Sequence, residues 1–201
     1  MAQQTTFGGI MYMTKFEGEI SGYRIEKLLE QLQRNYGSAC VMIDSPGGTF
    51  NFFSRLAPAL ARSGFVSIGE RVASAAIVLQ LLGRERLALP ESTYFFHEVR
   101  TIFRPGLEVT ICDVEHALEI EEEMARQSKR PQQEFLKQWH DQLRRGQEWM
   151  LDFMSKQTGL PSSLFLNLMR GNATLSAREA VQYGIVHRVI SEEELIALYR
   201  R

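Results

Sequence analysis

The sequence predicts an α/β domain that carries a long helical arm. Short apolar runs alternate with amphipathic segments from Gly9 to Phe96, the order expected where strands and helices alternate. One run, Ala39 to Ile43, is apolar without interruption, as in a parallel strand buried on both faces. Beyond Asp113 the chain turns charged and helix-prone as far as Lys156, with apolar residues at steps of three and four. The division expected is a head of residues 1–98 and 159–201 and an arm, or handle, of residues 99–158.

In chain order, Gly9 to Phe16 reads as a first strand and Glu17 to Gly22 as a polar turn. Tyr23 to Gln33 has Ile25, Leu28, Leu29 and Leu32 at helical spacing. The Ala39–Ile43 strand runs into Asp44-Ser-Pro-Gly-Gly48, a strong turn signal. A helix over about Asn51 to Ala61 contains Pro58, where a kink is expected. Phe65 to Ile68 is a strand stopped by Gly69, and a buried helix starts near Ala73. Glu85 to Leu89 and Thr93 to Phe96 read as two strands separated by Pro90-Glu-Ser. Thr101 to Thr110 is irregular. In the arm, Leu136, Trp139, Leu143, Met150 and Phe153 form a heptad-like stripe, with Gly146 in the slot between Leu143 and Met150 and Pro131 dividing the region. Such a stripe is a packing surface. Ser176-Ala-Arg-Glu179 and Ser191-Glu-Glu-Glu194 have the form of capping boxes, and Ile185 to Ile190 is a last strand.

Composition excludes several functions. With 44% hydrophobic and 23% charged residues and a formal net charge of −1, the chain has no basic stripe with which to neutralise phosphates. Nucleic acid is therefore not an expected partner. Cys40 and Cys112 have neither metal-ligand spacing nor a disulfide framework, so no metal and no cofactor are expected. No apolar run is long enough to span a membrane, and the N-terminus lacks the form of a signal peptide. A cytoplasmic protein is the expectation.

Ser74 lies where a strand turns into a helix among small residues. Two roles fit it from this stretch alone: a helix cap, or a nucleophile beside the N–H groups of a helix start. A nucleophile needs a base, and His97 ends the run Tyr94-Phe-Phe at a strand terminus, where α/β folds place reactive groups. His116 and His140 sit on the charged arm, and His187 lies in the last strand, where a structural role fits better. The turn at Gly47 and Gly48 leaves backbone N–H groups uncovered, either as a simple tight turn or as donors to an oxyanion and an extended substrate.

In this order the pieces resemble the Clp protease proteolytic subunit. Met42-Ile-Asp-Ser-Pro-Gly-Gly48 is similar to that family's strand and glycine turn, and Gly69-Glu-Arg-Val-Ala-Ser74-Ala-Ala to its nucleophile segment. Gly83 to His97 is similar to the segment ending in its histidine, and Leu175 to Ile190 to its closing helix and strand. The resemblance implies a crotonase-like stack of β-β-α units with a projecting handle. It implies Ser74 as nucleophile, His97 as base, the N–H groups of Gly47 and Ala75 as oxyanion hole, and Gly48 as a substrate contact. It also implies hydrolysis of peptides or unfolded protein in a ring of identical subunits, served by an AAA+ unfoldase.

The chain departs from the family pattern at four points. Asn172 stands where the third member of the triad is usually an aspartate. Asparagine can accept a histidine Nδ1–H but offers no charge to an imidazolium, and the equivalent change in a trypsin-like triad costs about 10⁴ in turnover. The arm exceeds the family's handle by about twenty residues, roughly 30 Å if helical. The segment before the first strand is short for the family's axial loop. Met42 stands where the family often has a tyrosine. Asn172 and the altered arm keep open a silent subunit assembling with an active paralogue, and the shared fold, with two backbone N–H groups for an oxyanion, keeps open a crotonase-type acyl-CoA enzyme.

Overall fold

The structure, a computed structural model, describes residues 11–49, 51–104, 107–125 and 133–199. It contains two compact units. One takes in the chain up to Phe95 together with Thr174 onward, and the other runs from Phe96 to Ala173.

The first unit is built on a six-stranded sheet. Strands β1 (Tyr12–Glu17), β2 (Ala39–Ser45), β3 (Val66–Ala73) and β4 (Glu85–Phe95) lie side by side and parallel. Two short strands complete it on β4: β7 (Thr174–Ser176) antiparallel and β8 (Arg188–Val189) parallel. Every residue of β2 is buried, as its continuous apolar run requires. Helix α1 (Gly22–Arg34) buries Ile25, Leu28 and Leu32, the one-sided spacing of an amphipathic helix. Helix α2 (Phe53–Arg62) buries Phe53, Ala57 and Leu60 and continues through Pro58. Helix α3 (Ala76–Leu81) is buried at every position. The unit closes with α7 (Ala177–Gln182) and α8 (Glu192–Tyr199). Ser176 and Glu179 form the expected capping box, and Ser191 and Glu194 exchange the same two bonds.

Several boundaries differ from the sequence expectation. The expected start of the first strand at Gly9 lies outside the described residues. Gly69 does not end its strand: β3 runs on to Ala73. Glycine is present there because the Tyr94 phenol occupies the place of a Cβ. Glu85 to Phe95 is one strand rather than two, and the surplus residues are absorbed as an irregularity. Gly69 pairs with Ala88 and Arg71 with Thr93, so Leu89 to Ser92 arch out of the ladder. Ser92 closes the arch: its hydroxyl accepts from the Leu89 N–H (2.8 Å) and donates to the Gly69 carbonyl (2.6 Å). The last strand shrinks to Arg188–Val189, with the His187 and Ile190 N–H groups on either side still donating to the Arg86 and Ala88 carbonyls of β4.

In the second unit, the stretch expected to be irregular contains a two-stranded antiparallel sheet of β5 (Thr101–Arg104) and β6 (Leu107–Val109). Pro105 and Gly106 lie outside the described residues. Helices α4 (Ile111–Ala125) and α5 (Gln133–Thr158) form the arm and pack on each other, while Pro131 again lies outside the described residues. The buried seam of α5 is Leu143, Gln147, Met150 and Met154. It is offset from the expected stripe, and buried Gln147 rather than Gly146 fills the slot between Leu143 and Met150. Helix α5 stops before Gly159, and α6 (Ser162–Arg170) starts after Pro161, as the Gly–Pro punctuation implies.

Replacing Ser92 by alanine leaves the Leu89 N–H and the Gly69 carbonyl without their partner in a buried arch. The expected cost is about 2 kcal/mol, read as a lower urea midpoint with unchanged slope.

Candidate active site

Parallel pairing of β2 and β3 brings two turns together. Ile43 pairs with Gly69 and Ser45 with Val72, so β3 holds one extra residue just before its end. The Ser45–Gly48 turn then meets the β3–α3 junction. Gly47 (φ 97°) lies so close to that junction that a Cβ on it would sit 2.6 Å from Ser74 Cβ, 2.8 Å from the Ala73 carbonyl and 3.2 Å from the Ala75 nitrogen. Gly47, Ser74 and Ala75 are thus assembled in one place.

Ser74 has φ 55°, a left-handed conformation that costs a non-glycine residue about 1–2 kcal/mol. Its N–H donates to the Phe95 carbonyl (2.9 Å) and its carbonyl accepts from Ile77 (3.0 Å). The N-cap of α3 is Ala75, with no side-chain cap bond. Ser74 thus stands one residue ahead of the assigned N-cap. Among the described residues, the non-glycine residues with positive φ are Ser74 and Asn172.

The glycine turn is strung on Ile20. The Ile20 N–H donates to the Gly47 carbonyl (2.7 Å), and the Thr49 N–H donates to the Ile20 carbonyl (3.0 Å). In such a ladder the middle residue, Gly48, turns its own N–H and C=O to the other side, as pairing with an extended chain requires. A side chain on Gly48 would collide with the Ile20 backbone. The Gly47 N–H donates to Ser45 Oγ (3.2 Å), a neutral acceptor that a charged oxygen would outcompete.

Asp44 and Arg71 form a feature that the sequence did not reveal. Arg71 donates to both Asp44 oxygens, Nε to Oδ1 at 2.9 Å and an Nη to Oδ2 at 2.7 Å. Each partner stands three residues before a turn residue, Asp44 before Gly47 and Arg71 before Ser74. The spacing is visible in the sequence but means nothing until the strand register is known. The Arg71 bond holds the Asp44 carboxyl below the usual carboxylate range, with Lys15 adding to the effect. A cavity of about 440 Å³ opens here, lined in part by Asp44, Ser45, Pro46, Arg71, Ala73 and Phe95.

His97 and Asn172 belong to the second unit. The Phe96 N–H donates to the Ala173 carbonyl (2.8 Å), which puts His97 and Asn172 one step further along two adjacent segments. Their side chains make different bonds. His97 Nδ1 lies 2.6 Å from the Glu98 carbonyl, whereas Asn172 Oδ1 accepts from Arg100 (3.3 Å). Burial lowers the His97 pKa, and the Arg100 charge adds to this against the opposing Glu98 bond. His187 packs on Arg86, with Nε2 2.8 Å from the guanidinium, the structural role expected of it. His140 approaches Glu115 on the arm (3.3 Å).

Burial pushes the Cys40 thiol up to about 12, so it is inert, and Cys112 is a free thiol. Among the described residues no group of three or more His, Cys, Asp or Glu side chains could hold a metal ion. Among them, too, no helix is long and apolar enough to cross a membrane.

The Clp protease family model matches residues 124–193, a stretch that includes Asn172 but neither Ser74 nor His97. An asparagine-to-aspartate mutant of ClpP1 from Listeria monocytogenes matches with a TM-score of 0.65 at 21% identity, covering 90% of this chain and 92% of that one. ClpP1 from the same organism matches at 0.61 and 20%, covering 92% and 94%. The ClpP protease catalytic domain from Plasmodium falciparum matches at 0.58 and 21%, covering 89% and 84%. No curated protein matches the sequence. The chain is thus an α/β protein with the ClpP fold, as expected from its sequence. The Clp protease family is the one it resembles, in sequence over residues 124–193 and in structure over about nine-tenths of its length.

Two outcomes are expected. Gly47→Ala should destabilise by about 2 kcal/mol or more, from left-handed strain plus overlap with Ser74. The control Gly37→Ala, at φ 72° with nothing within 4 Å, should lose only the strain, about 1 kcal/mol. The second concerns pH. Because the Asp44 pKa is depressed on folding, its contribution is complete above the unfolded carboxyl pKa of about 3.9. It is lost as pH falls through the folded value. Urea midpoints measured down to acid pH should therefore fall more steeply for the wild type than for Arg71→Ala.

Proposed function

We propose that the chain is a serine endopeptidase of the Clp type, with Ser74 as nucleophile and His97 as general base. The observation that supports this best is the contact of Gly47 with a left-handed Ser74, which sets two turn backbones around one hydroxyl. Strain at a non-glycine residue is characteristic of functional sites, and a nucleophile held on a sharp strand-to-helix turn is a recurrent device.

In this mechanism Ser74 Oγ attacks the scissile carbonyl carbon and its proton passes to His97 Nε2. The carbonyl oxygen becomes an oxyanion, received by the N–H groups of Gly47 and Ala75, with Gly47 exchanging its Ser45 acceptor for the charged one. Gly48 pairs with the substrate backbone. Collapse of the intermediate breaks the C–N bond, and the His97 proton goes to the leaving amine. Water then repeats the sequence on the acyl-enzyme, releasing the acid and restoring Ser74.

A lowered His97 pKa supports the base role, since the imidazole is then neutral at pH 7. By likeness to ClpP, the working form is a homo-oligomeric ring in the cytoplasm, the arm serves as handle, and peptides or unfolded proteins are the substrates. An AAA+ unfoldase is the partner class that this reading implies. A silent or weak subunit beside an active paralogue is the second reading, favoured by the engagement of Asn172 with Arg100.

A fluorogenic peptide assay separates the two, with Ser74→Ala as control. The expected result is a loss of at least about 10³-fold in kcat on substitution, with fluorophosphonate labelling of the wild type only. Equal rates and equal labelling would overturn the peptidase reading.

A further inference from the structure

Taking His97 as the base in the reading above, we propose that Gln147 is a positioning residue. It orients His97 through the Glu98–Val99 peptide, a role the family pattern gives to the side chain at position 172.

The bond His97 makes has only one polarity. A carbonyl oxygen has no proton, so at 2.6 Å from the Glu98 carbonyl Nδ1 must be the donor. In neutral imidazole the lone pair is then on Nε2, the tautomer a general base requires. Whatever aims the Glu98 carbonyl therefore selects the tautomer of His97.

That carbonyl and the Val99 N–H belong to one planar peptide and point in opposite directions. The Val99 N–H donates to Gln147 Oε1 (3.3 Å). Gln147 is buried in an otherwise apolar seam of α5, between Leu143 and Met150. A polar residue is costly in such a place unless it is bonded. Fixing the N–H side of the peptide fixes its carbonyl side, so α5 sets the ring of His97 through one amide plane.

Neighbouring bonds brace the same segment, which joins β4 to β5. Glu98, itself buried, lies 3.5 Å from Arg170 through Oε1 and 3.9 Å from Cys112 Sγ. Arg100 lies 3.3 Å from Glu108 and donates to Asn172 Oδ1. Residues 98, 99 and 100 are thus each tied by a side chain, and Asn172 serves as the anchor for Arg100. Among the described residues, Arg100 and Glu108 act on His97 by charge, and the Glu98–Arg170 pair lies on the adjoining residue.

The test combines spectroscopy and kinetics on the full chain. Nitrogen-15 NMR of the wild type should show neutral His97 with its proton on Nδ1. Gln147→Leu, which suits the apolar seam, should lower kcat by about 10²-fold or more with KM within about twofold, and should abolish the tautomer preference. Gln147→Glu keeps an acceptor for Val99 and should restore kcat to within about tenfold. Asn172→Asp should raise kcat by less than about tenfold, against the roughly 10⁴ expected if residue 172 set the tautomer. An Nε2–H tautomer in the wild type would overturn the proposal, as would an unchanged kcat in Gln147→Leu or a rise of 10² or more in Asn172→Asp. Failure of the peptidase reading would look different: Ser74→Ala would keep the wild-type rate, while the NMR result would still decide how His97 is held.

Discussion

The close approach of Gly47 to Ser74 is the constraint on which the first unit depends. Two backbones meet there with no room for a side chain between them, and Ser74 adopts a conformation costly for a non-glycine residue. Such an arrangement persists only if its surroundings over-determine it. The buried strand β2 fixes one turn, and the fully buried helix α3 fixes the other. The bidentate Asp44–Arg71 pair ties the strands together three residues before each turn. Ser92 stabilises the irregular ladder behind them. Stability elsewhere offsets strain at one hydroxyl.

The second unit reaches the same end by different means. Its order around His97 comes from polar ties to consecutive residues rather than from close backbone packing. Four of these ties involve charged side chains, so their strength depends on burial. Glu98 is buried and its pair with Arg170 is well shielded on that side, whereas the Arg100–Glu108 pair is exposed and contributes little by itself. The amide tie from Gln147 carries no charge and lies in a buried seam, where a hydrogen bond is hard to replace. This makes it the more durable constraint.

Much of this was legible in the sequence, for identifiable reasons. The α/β class, helix α1 and the Ser176 capping box depend on periodicity or on contacts within one turn, which a linear reading can see. The misses share a different cause. Gly69 reads as a strand stop until the Tyr94 phenol across the ladder is known, and Pro90 reads as a turn until Ser92 is seen to satisfy the arch. The Asp44–Arg71 pair and the Val99–Gln147 bond join residues 27 and 48 positions apart. No local pattern announces them. At the candidate site the residue types were legible, but the left-handed state of Ser74 was not, because nothing in its neighbours encodes a positive φ.

Asn172 shows how one residue can fit two explanations of unequal weight. Its φ of 47° is inexpensive for asparagine, whose short polar side chain tolerates the left-handed region. Backbone conformation alone therefore accounts for an asparagine after Gly171, and positive φ marks this position far less strongly than it marks Ser74. The side chain then has an amide oxygen to satisfy, and the guanidinium of Arg100 is the donor it meets. An aspartate in its place would pair with the same guanidinium more strongly. Charge at position 172 would thus be drawn towards Arg100 rather than delivered to His97. An acid at position 172 is therefore the less needed here, because a main-chain carbonyl, that of Glu98, accepts from the imidazole of His97.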